Sequence, residues 1–197
     1  MEQKNKHRAI KAALLVGCVS FAPLAFAGAT AEMLANNCVG CHGPDGNSVG
    51  PASPSIAGMD KNNFADIMQS YKEEGGRYST IMGRIAKGFD DKEIDLLAGY
   101  FAAKKKTHPT QTVDQAMAAN GAKIHKKTCK KCHEDAEEGD IILNGQWKPY
   151  LLNTMHDFSQ LDPAAIKSKD IKKMVKGLKK MSDADRKAIA DFYASQK

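Results

Sequence analysis

Aromatic residues are scarce in this 197-residue chain: phenylalanine, tyrosine and tryptophan together make up 7% of it, and one residue is tryptophan. The mature chain divides into two similar copies of about 75 to 90 residues, as the repeat described below indicates. A domain of that size gains little stability margin from side chains alone and generally needs an additional staple. The composition therefore predicts that a bound group fills part of each core.

Long apolar runs are missing beyond residue 27, where no segment approaches the roughly 18 consecutive apolar residues that cross a membrane. We therefore expect no transmembrane segment in the mature chain. Residues 1–27 have the pattern of a secretory signal, with four basic residues up to Lys11, a mostly apolar stretch over 12–24 and the small-residue site Ala25-Phe26-Ala27. Cleavage after Ala27 predicts a periplasmic protein of 170 residues, 197 less the 27 of the signal.

A lipoprotein signal is the alternative for this segment, with Leu15-Val16-Gly17-Cys18 as its box. The apolar stretch after Lys11 would then be only about six residues, below the roughly seven of a normal signal. Cleavage after Ala27 is the favoured interpretation, and it removes Cys18 from the mature chain.

The net charge of +6 does not indicate a nucleic-acid partner. The signal contributes four basic residues and one acidic residue, so the mature chain carries only +3. Residues 28–101 hold 6 basic and 10 acidic groups, whereas residues 102–197 hold 19 and 12. This asymmetry indicates either two solvated faces of different composition or a dipole that orients docking partners.

The mature chain repeats four landmarks in the same order, which indicates two copies of one domain. The offset between the copies lies between 87 and 92 residues at every landmark. The landmarks are Cys-x-x-Cys-His at 38–42 and 129–133, Ile-Ala-Gly at 56–58 with Leu-Asn-Gly at 143–145, Met-x-x-x-Ala-Lys at 82–87 with Met-x-x-x-Leu-Lys at 174–179, and Leu-Leu-Ala-x-Tyr-Phe at 96–101 with Ala-Ile-Ala-x-Phe-Tyr at 188–193.

Each copy is predicted to be mostly helical, since no stretch alternates as a strand does. A short helix should follow Thr30, and a second should present one apolar face, made by Phe64, Ile67, Met68 and Tyr71. Helix start signals, an N-cap residue with its partner three positions on, are predicted at Asp90 with Glu93, at Ser182 with Asp185 and at Thr112 with Gln115.

The run Lys104-Lys105-Lys106 ahead of Pro109 is the natural connector between the copies, and we expect its lysines to be solvated. The predicted organisation is a signal peptide over 1–27, a first domain over 28–103, a linker over 104–111 and a second domain over 112–197.

The two Cys-x-x-Cys-His motifs are typical of covalent haem attachment. Two thiols three residues apart reach the two vinyl groups of a porphyrin, and the following histidine turns its imidazole to the iron. All four mature cysteines fall in these motifs, so that Cys38, Cys41, Cys129 and Cys132 are predicted to bind two haem c groups, with His42 and His133 as iron ligands.

Three other uses of paired cysteines fit the sequence less well. A thioredoxin-like redox pair lies near a βαβ pattern, which this sequence does not show. A zinc ribbon places its second pair about 15 to 20 residues after the first, whereas the offset here is 91. A disulfide framework would scatter its cysteines along the chain.

The second axial ligand of each iron is predicted to be a methionine at matching positions, Met82 and Met174. They follow His42 and His133 by 40 and 41 residues, and each precedes the last helix of its copy. A lone methionine would more simply be core packing. Met181 and Met155 remain alternatives to Met174 in the second copy. A thioether ligand raises the iron potential relative to a second histidine.

With these motifs in place, the chain resembles the dihaem cytochrome subunits of flavocytochrome c sulfide dehydrogenase, which are built from class I cytochrome c domains. The resemblance spans nearly all of the mature chain and is densest in the first copy. The stretches that carry it are Thr30-Ala31-Glu32-Met33-Leu34, residues 47–56 and 79–88, Gly145-Gln146-Trp147 with Pro149-Tyr150-Leu151, and Phe192-Tyr193-Ala194-Ser195-Gln196.

The resemblance implies an all-α fold of two tandem class I cytochrome c domains, each wrapped around a covalent haem. It implies that the Pro54 carbonyl supports the proximal imidazole of the first haem, whereas the second copy has Ile141 in that place. It also implies a separate FAD subunit that oxidises sulfide and passes electrons through the cytochrome to a soluble or membrane acceptor. The chain itself has no dinucleotide fingerprint and no spare nucleophilic thiol, so no catalytic residue is predicted in it.

Two other functions stay open at this point. One is a free periplasmic dihaem carrier that delivers electrons to a terminal oxidase, since the same motifs would serve it. The other is a haem enzyme such as a peroxidase or a thiosulfate dehydrogenase, which would need an open or unusually ligated iron. A methionine available for each site disfavours the enzyme.

Overall fold

The computed structural model describes residues 28–133 and 143–196. Over those two ranges the chain forms helices joined by loops and turns, without a strand. The predicted all-α class is confirmed. The signal-peptide prediction lies outside the described residues.

The first copy contains five α-helices and two short 3₁₀ turns within the described residues. The helices are α1 (Ala31–Ala35), α2 (Val39–His42), α3 (Lys61–Lys72), α4 (Met82–Ile85) and α5 (Asp91–Ala102), with 3₁₀ turns at Pro44–Gly46 and Ala86–Gly88.

The second copy, over the residues that the structure describes, follows the same plan with longer helices. They are α6 (Gln115–Ile124), α7 (Lys130–His133), α8 (Lys148–Gln160), α9 (Lys169–Lys179) and α10 (Asp183–Ser195), and a π-helical turn, His125–Cys129, joins α6 to α7.

Most of the predicted helix starts are confirmed. Thr30 caps α1, and Asp90 with Glu93 and Ser182 with Asp185 each form a capping box. The expected start at Thr112 was wrong, because the carboxylate of Asp114 accepts from the Met117 N–H at 3.0 Å and so caps α6. A carboxylate directly ahead of the first turn satisfies its free amides, which a threonine two residues earlier does not.

Each copy has its own apolar core. In the first, α1, α3 and α5 pack together, and Phe64 stacks on Phe101 with ring centroids 5.6 Å apart. In the second, α6 crosses α10 so closely that a Cβ at Gly121 would lie 2.0 Å from the Ala188 carbonyl oxygen. The absence of a side chain at Gly121 therefore sets the separation of these two helices.

The two copies meet in a tight polar and aromatic interface. The Gln146 side chain is hydrogen-bonded to the Ser55 backbone, and the Trp147 indole N–H donates to the Ser48 carbonyl at 3.0 Å. The Trp147 ring lies over Gly50, whose φ of +79° is in the left-handed region. The second copy thus binds residues 48–55 of the first through hydrogen bonds and an aromatic contact.

The expectation that the linker lysines are solvated was wrong for two of the three, and the connector is held in place. Lys104 pairs with Asp45 at 2.8 Å and lies over the Tyr100 ring, and the partly buried Lys106 donates to the Asn144 carbonyl. Lys105 alone of the three is exposed. A long amphipathic stem can cover apolar surface while its charge finds a partner, which the charge run could not reveal.

Among the described residues, no helix combines the length and the apolar character that a membrane span requires.

Candidate functional site

The first Cys-x-x-Cys-His motif forms one helical turn. Cys38 lies at the N-cap of α2, and the His42 N–H closes the turn on the Cys38 carbonyl at 2.9 Å. The Cys38 side chain is half-buried against the first core, whereas Cys41 is exposed. Neither thiol is in a disulfide. The turn therefore offers two free thiols and an imidazole from one side of the core.

The imidazole of His42 is fixed by the chain. Its Nδ1 lies 2.8 Å from the Pro54 carbonyl oxygen, the contact that the class I resemblance implied. A carbonyl only accepts, so Nδ1 carries the proton and Nε2 keeps its lone pair. Burial lowers the pKa of His42, and the hydrogen bond to Pro54 opposes that shift only in part. A neutral imidazole held at Nδ1 is the form that binds a metal through Nε2.

The second motif repeats this arrangement. Cys129 is half-buried against the second core and Cys132 is exposed, and both thiols are free. Burial lowers the pKa of His133, and the nearby charges of His125 and Arg77 lower it further. Ile141, the counterpart of Pro54, lies outside the described residues.

The thiols of both motifs are unlike those of redox-active dithiols. Burial raises the pKa of Cys38 and of Cys129, and the neighbouring cysteine of each pair raises it further. Dithiol oxidoreductases instead lower the pKa of the attacking thiol to keep it a thiolate. Cys38 and Cys129 therefore lack the lowered pKa that such an attacking thiol has.

Each predicted methionine lies against the same core as the first cysteine of its copy. Met82 opens α4, where its N–H donates to the Ser79 hydroxyl at 3.1 Å. Met174 lies within α9 and packs, half-buried, against the second core. Met155 is buried inside α8, and Met181 also contacts the second core, so the alternatives to Met174 remain in its neighbourhood.

The donor set fits haem c. Each copy brings two free thiols, a neutral imidazole and a half-buried thioether to one apolar core built from few aromatic side chains. Thiols bond covalently to the vinyl groups, and imidazole with thioether is an axial pair found in cytochromes c. The assignment of individual residues to the haems stays a prediction.

Three residues that the sequence gave no reason to group together lie between the two cores. They are Arg77 with Tyr71 from the first copy and Tyr150 from the second, and the guanidinium Nε donates to the Tyr71 hydroxyl at 3.0 Å. A lone arginine in a loop carries no motif. Only the folded arrangement brings it to the junction.

Comparison with known proteins agrees with this architecture. The family described as "Cytochrome c" matches residues 28–104, and the family described as "Cytochrome C oxidase, cbb3-type, subunit III" matches residues 116–192. The cytochrome subunit of sulfide dehydrogenase from Chlorobaculum tepidum is 45% identical over 78 residues, which cover 39% of this chain and 69% of that protein. The aligned part is shorter than the resemblance indicated.

Two further similarities extend over both copies. Cytochrome c4 of Azotobacter vinelandii is 28% identical over 168 residues, which cover 75% of this chain and 79% of that protein. The crystal structure of reduced recombinant cytochrome c4 from Pseudomonas stutzeri superposes with a TM-score of 0.69 at 23% identity, covering 86% of this chain and all of that one. That structural likeness shows the fold.

Two helical domains, each with a haem-attachment turn, define an electron carrier with two covalent haem c groups. The chain belongs to the cytochrome c family.

Proposed function

We propose that this chain is the dihaem electron-transfer subunit of a sulfide dehydrogenase, accepting electrons from an FAD-containing subunit and passing them to a downstream acceptor. The observation that carries the proposal is the 45% identity to the cytochrome subunit of such an enzyme. Sulfide would be oxidised at the flavin of the partner, so this chain needs no catalytic residue of its own.

The haem assignments belong to the same proposal. Cys38 and Cys41 attach the first haem, with His42 and Met82 on its iron. The second haem is held by Cys129, Cys132, His133 and Met174. The domains span 28–103 and 112–197, joined by a linker over 104–111. A low-spin iron held between imidazole and thioether changes oxidation state without exchanging ligands, which suits a carrier.

The surface around the first motif supports a protein partner on that side. Val39, inside the motif, and Ile81, next to Met82, are uncharged aliphatic residues. The corresponding positions of the second motif and its flanks are rich in lysine, as in Lys130-Lys131. Uncharged aliphatic side chains beside a haem-attachment turn suit a lasting contact, because the burial of apolar surface is favourable whereas the burial of a lysine charge is costly.

The test is purification of the tagged holoprotein from its native cells grown with sulfide. We expect a flavoprotein with bound FAD to co-purify, and sulfide to reduce both haems of the complex. Ile81→Glu should lower the recovered FAD at least severalfold, because burying an unpaired carboxylate is costly. Leu96→Glu is the matched control, since Leu96 is 42% exposed but lies on α5. A cytochrome always recovered alone, beside a flavoprotein that oxidises sulfide without it, contradicts the proposal.

We also propose that the protein is periplasmic and that its signal is cleaved after Ala27. Covalent haem attachment in an exported chain and the apolar stretch over 12–24 support this location. Mass spectrometry of the native protein tests the cleavage site and the number of haems together. A retained N-terminus, or a lipid on Cys18, would contradict it.

A free dihaem carrier that serves a terminal oxidase is the second candidate. The similarity to cytochrome c4 over three quarters of this chain favours it. The purified protein, reduced chemically and mixed with membranes of its native cells, should then be oxidised by oxygen at a rate that does not depend on the flavoprotein.

A further inference from the structure

The junction between the two copies contains a cluster of one arginine and two tyrosines, Arg77, Tyr71 and Tyr150, which has no role in the proposed function. The Arg77 guanidinium lies 5.2 Å from the Phe158 ring centroid and 5.8 Å from that of Tyr71, between an aromatic ring of each copy. The Tyr150 hydroxyl of the second copy is a further neighbour of the guanidinium. A charge of the first copy is thus seated among side chains of the second.

The loop before Arg77 is held firmly. The Arg77 N–H donates to the Ser70 carbonyl and to the Ser70 hydroxyl, at 3.1 and 2.9 Å. The Gly75 carbonyl accepts from the Lys167 N–H of the second copy at 2.9 Å. These bonds fix the backbone at Gly75 and Arg77, and the bond from the Arg77 Nε to the Tyr71 hydroxyl orients the guanidinium.

The cluster is rich in donors and short of anions. Tyr71 accepts from the Arg77 Nε and keeps its own proton to donate, and burial raises the pKa of Tyr150, so its hydroxyl stays protonated. Within 28–133 and 143–196, no aspartate or glutamate forms an ion pair with Arg77. Arg77 is half-buried, and a guanidinium that is partly desolvated without a carboxylate partner favours an anion beside it.

The cofactors would bring anions to this cluster, where residues 28–133 and 143–196 place none. Each haem c carries two propionate carboxylates, and a guanidinium with two phenol hydroxyls is a suitable set of donors for one of them. Two of the three aromatic neighbours of the guanidinium, Phe158 and Tyr150, belong to the second domain. Tyr150 and Phe158 lie on α8 and are also in or against the second core.

We propose that Arg77 of the first domain, together with Tyr71 and Tyr150, binds a propionate of the second haem and raises the potential of that haem. The first domain thereby supplies a charge that tunes the iron of the second. A cation near a haem stabilises the ferrous state, because reduction adds one negative charge to the site. Docking of the two domains is then part of what sets the potential difference between the two irons.

The experiment measures both haem potentials in the holoprotein with Arg77→Gln. We expect the second haem to favour the ferric state about tenfold more than in the parent, a shift of about 59 mV for a one-electron couple. Redox-difference infrared spectra should show one altered propionate carboxylate band. The Met174→His variant shows which of the two measured potentials belongs to the second haem, since it lowers the potential of that haem alone.

Three comparisons decide the outcome. Arg77→Lys keeps the charge, so the potential of the second haem should stay close to that of the parent. A decrease as large as in Arg77→Gln overturns the proposal. Lys92→Gln removes an exposed cation of the same domain, on α5, and should change neither potential more than about twofold in equilibrium constant. A stable Arg77→Gln protein with the parent potentials overturns the proposal as well, whatever partner the cytochrome serves.

Discussion

Gln146 of the second domain is hydrogen-bonded twice to the backbone of Ser55 in the first. Its side-chain oxygen accepts from the Ser55 N–H at 2.9 Å, and its amide nitrogen donates to the Ser55 carbonyl at 2.8 Å. Ser55 directly follows Pro54, whose carbonyl accepts from His42. The second domain therefore supports the loop that orients an imidazole of the first.

Gln146→Ala should destabilise the interface by about 2 kcal/mol or more, because it leaves two buried backbone groups unpaired at about 1 to 3 kcal/mol each. The check is denaturant unfolding of the holoprotein, followed through Trp147, the one tryptophan of the chain. Gln69→Ala is the control, since Gln69 bonds to Asp91 at an exposed site and should cost little. Equal losses in both variants would contradict the role assigned to Gln146.

Gly50→Ala should also weaken the interface, by about 2 to 5 kcal/mol. An alanine at this φ is strained, and its Cβ would lie 2.5 Å from Trp147 Cε2. Gly99→Ala provides the opposite case, because Gly99 lies inside α5 with open space at its Cβ position. This substitution should stabilise the protein by about 0.5 to 1 kcal/mol. Thermal unfolding of the two proteins should therefore shift in opposite directions.

Met82→Ala and Met174→Ala should each remove about half of the weak sulfur-to-iron absorption of the ferric protein, because each leaves one iron without its thioether. Met33→Ala is the control, since Met33 is 62% exposed. If the band is unchanged in Met174→Ala, the same measurement on Met181→Ala and Met155→Ala identifies the ligand of the second haem.

Lys106 should make stability depend on pH. Burial lowers its pKa to about 8, against about 10.4 in the unfolded chain. Between those values the unfolded state binds more protons, so this residue adds stability as pH rises, at most about 1.4 kcal/mol per unit. Below about pH 8 both states are protonated and the slope vanishes.

The measurement is the free energy of unfolding of Lys106→Met relative to the parent. The variant should gain most at pH 7, where the parent holds a partly buried charge, and the gain should shrink by pH 9.5. Lys105→Met, which alters the exposed neighbour, should show no such trend. A difference that does not change with pH would show that Lys106 keeps its ordinary pKa in the folded protein.

The sequence by itself determined the local features of this protein. The apolar periodicity predicted a mostly helical chain. The two Cys-x-x-Cys-His motifs predicted two haem groups, because thioether attachment needs a fixed spacing that is visible in the chain. The capping boxes at Asp90 and Ser182 were also predictable, since their partners are three residues apart.

Only the tertiary structure decided what happens between the domains. Gln146 and Ser55 are 91 residues apart, and Arg77 meets Tyr150 and Phe158 across a similar distance in sequence. The linker lysines looked solvated for the same reason, since a pattern of neighbours does not show which distant carbonyl or carboxylate a long side chain will reach. Such contacts depend on how two cores dock, and no local periodicity records that.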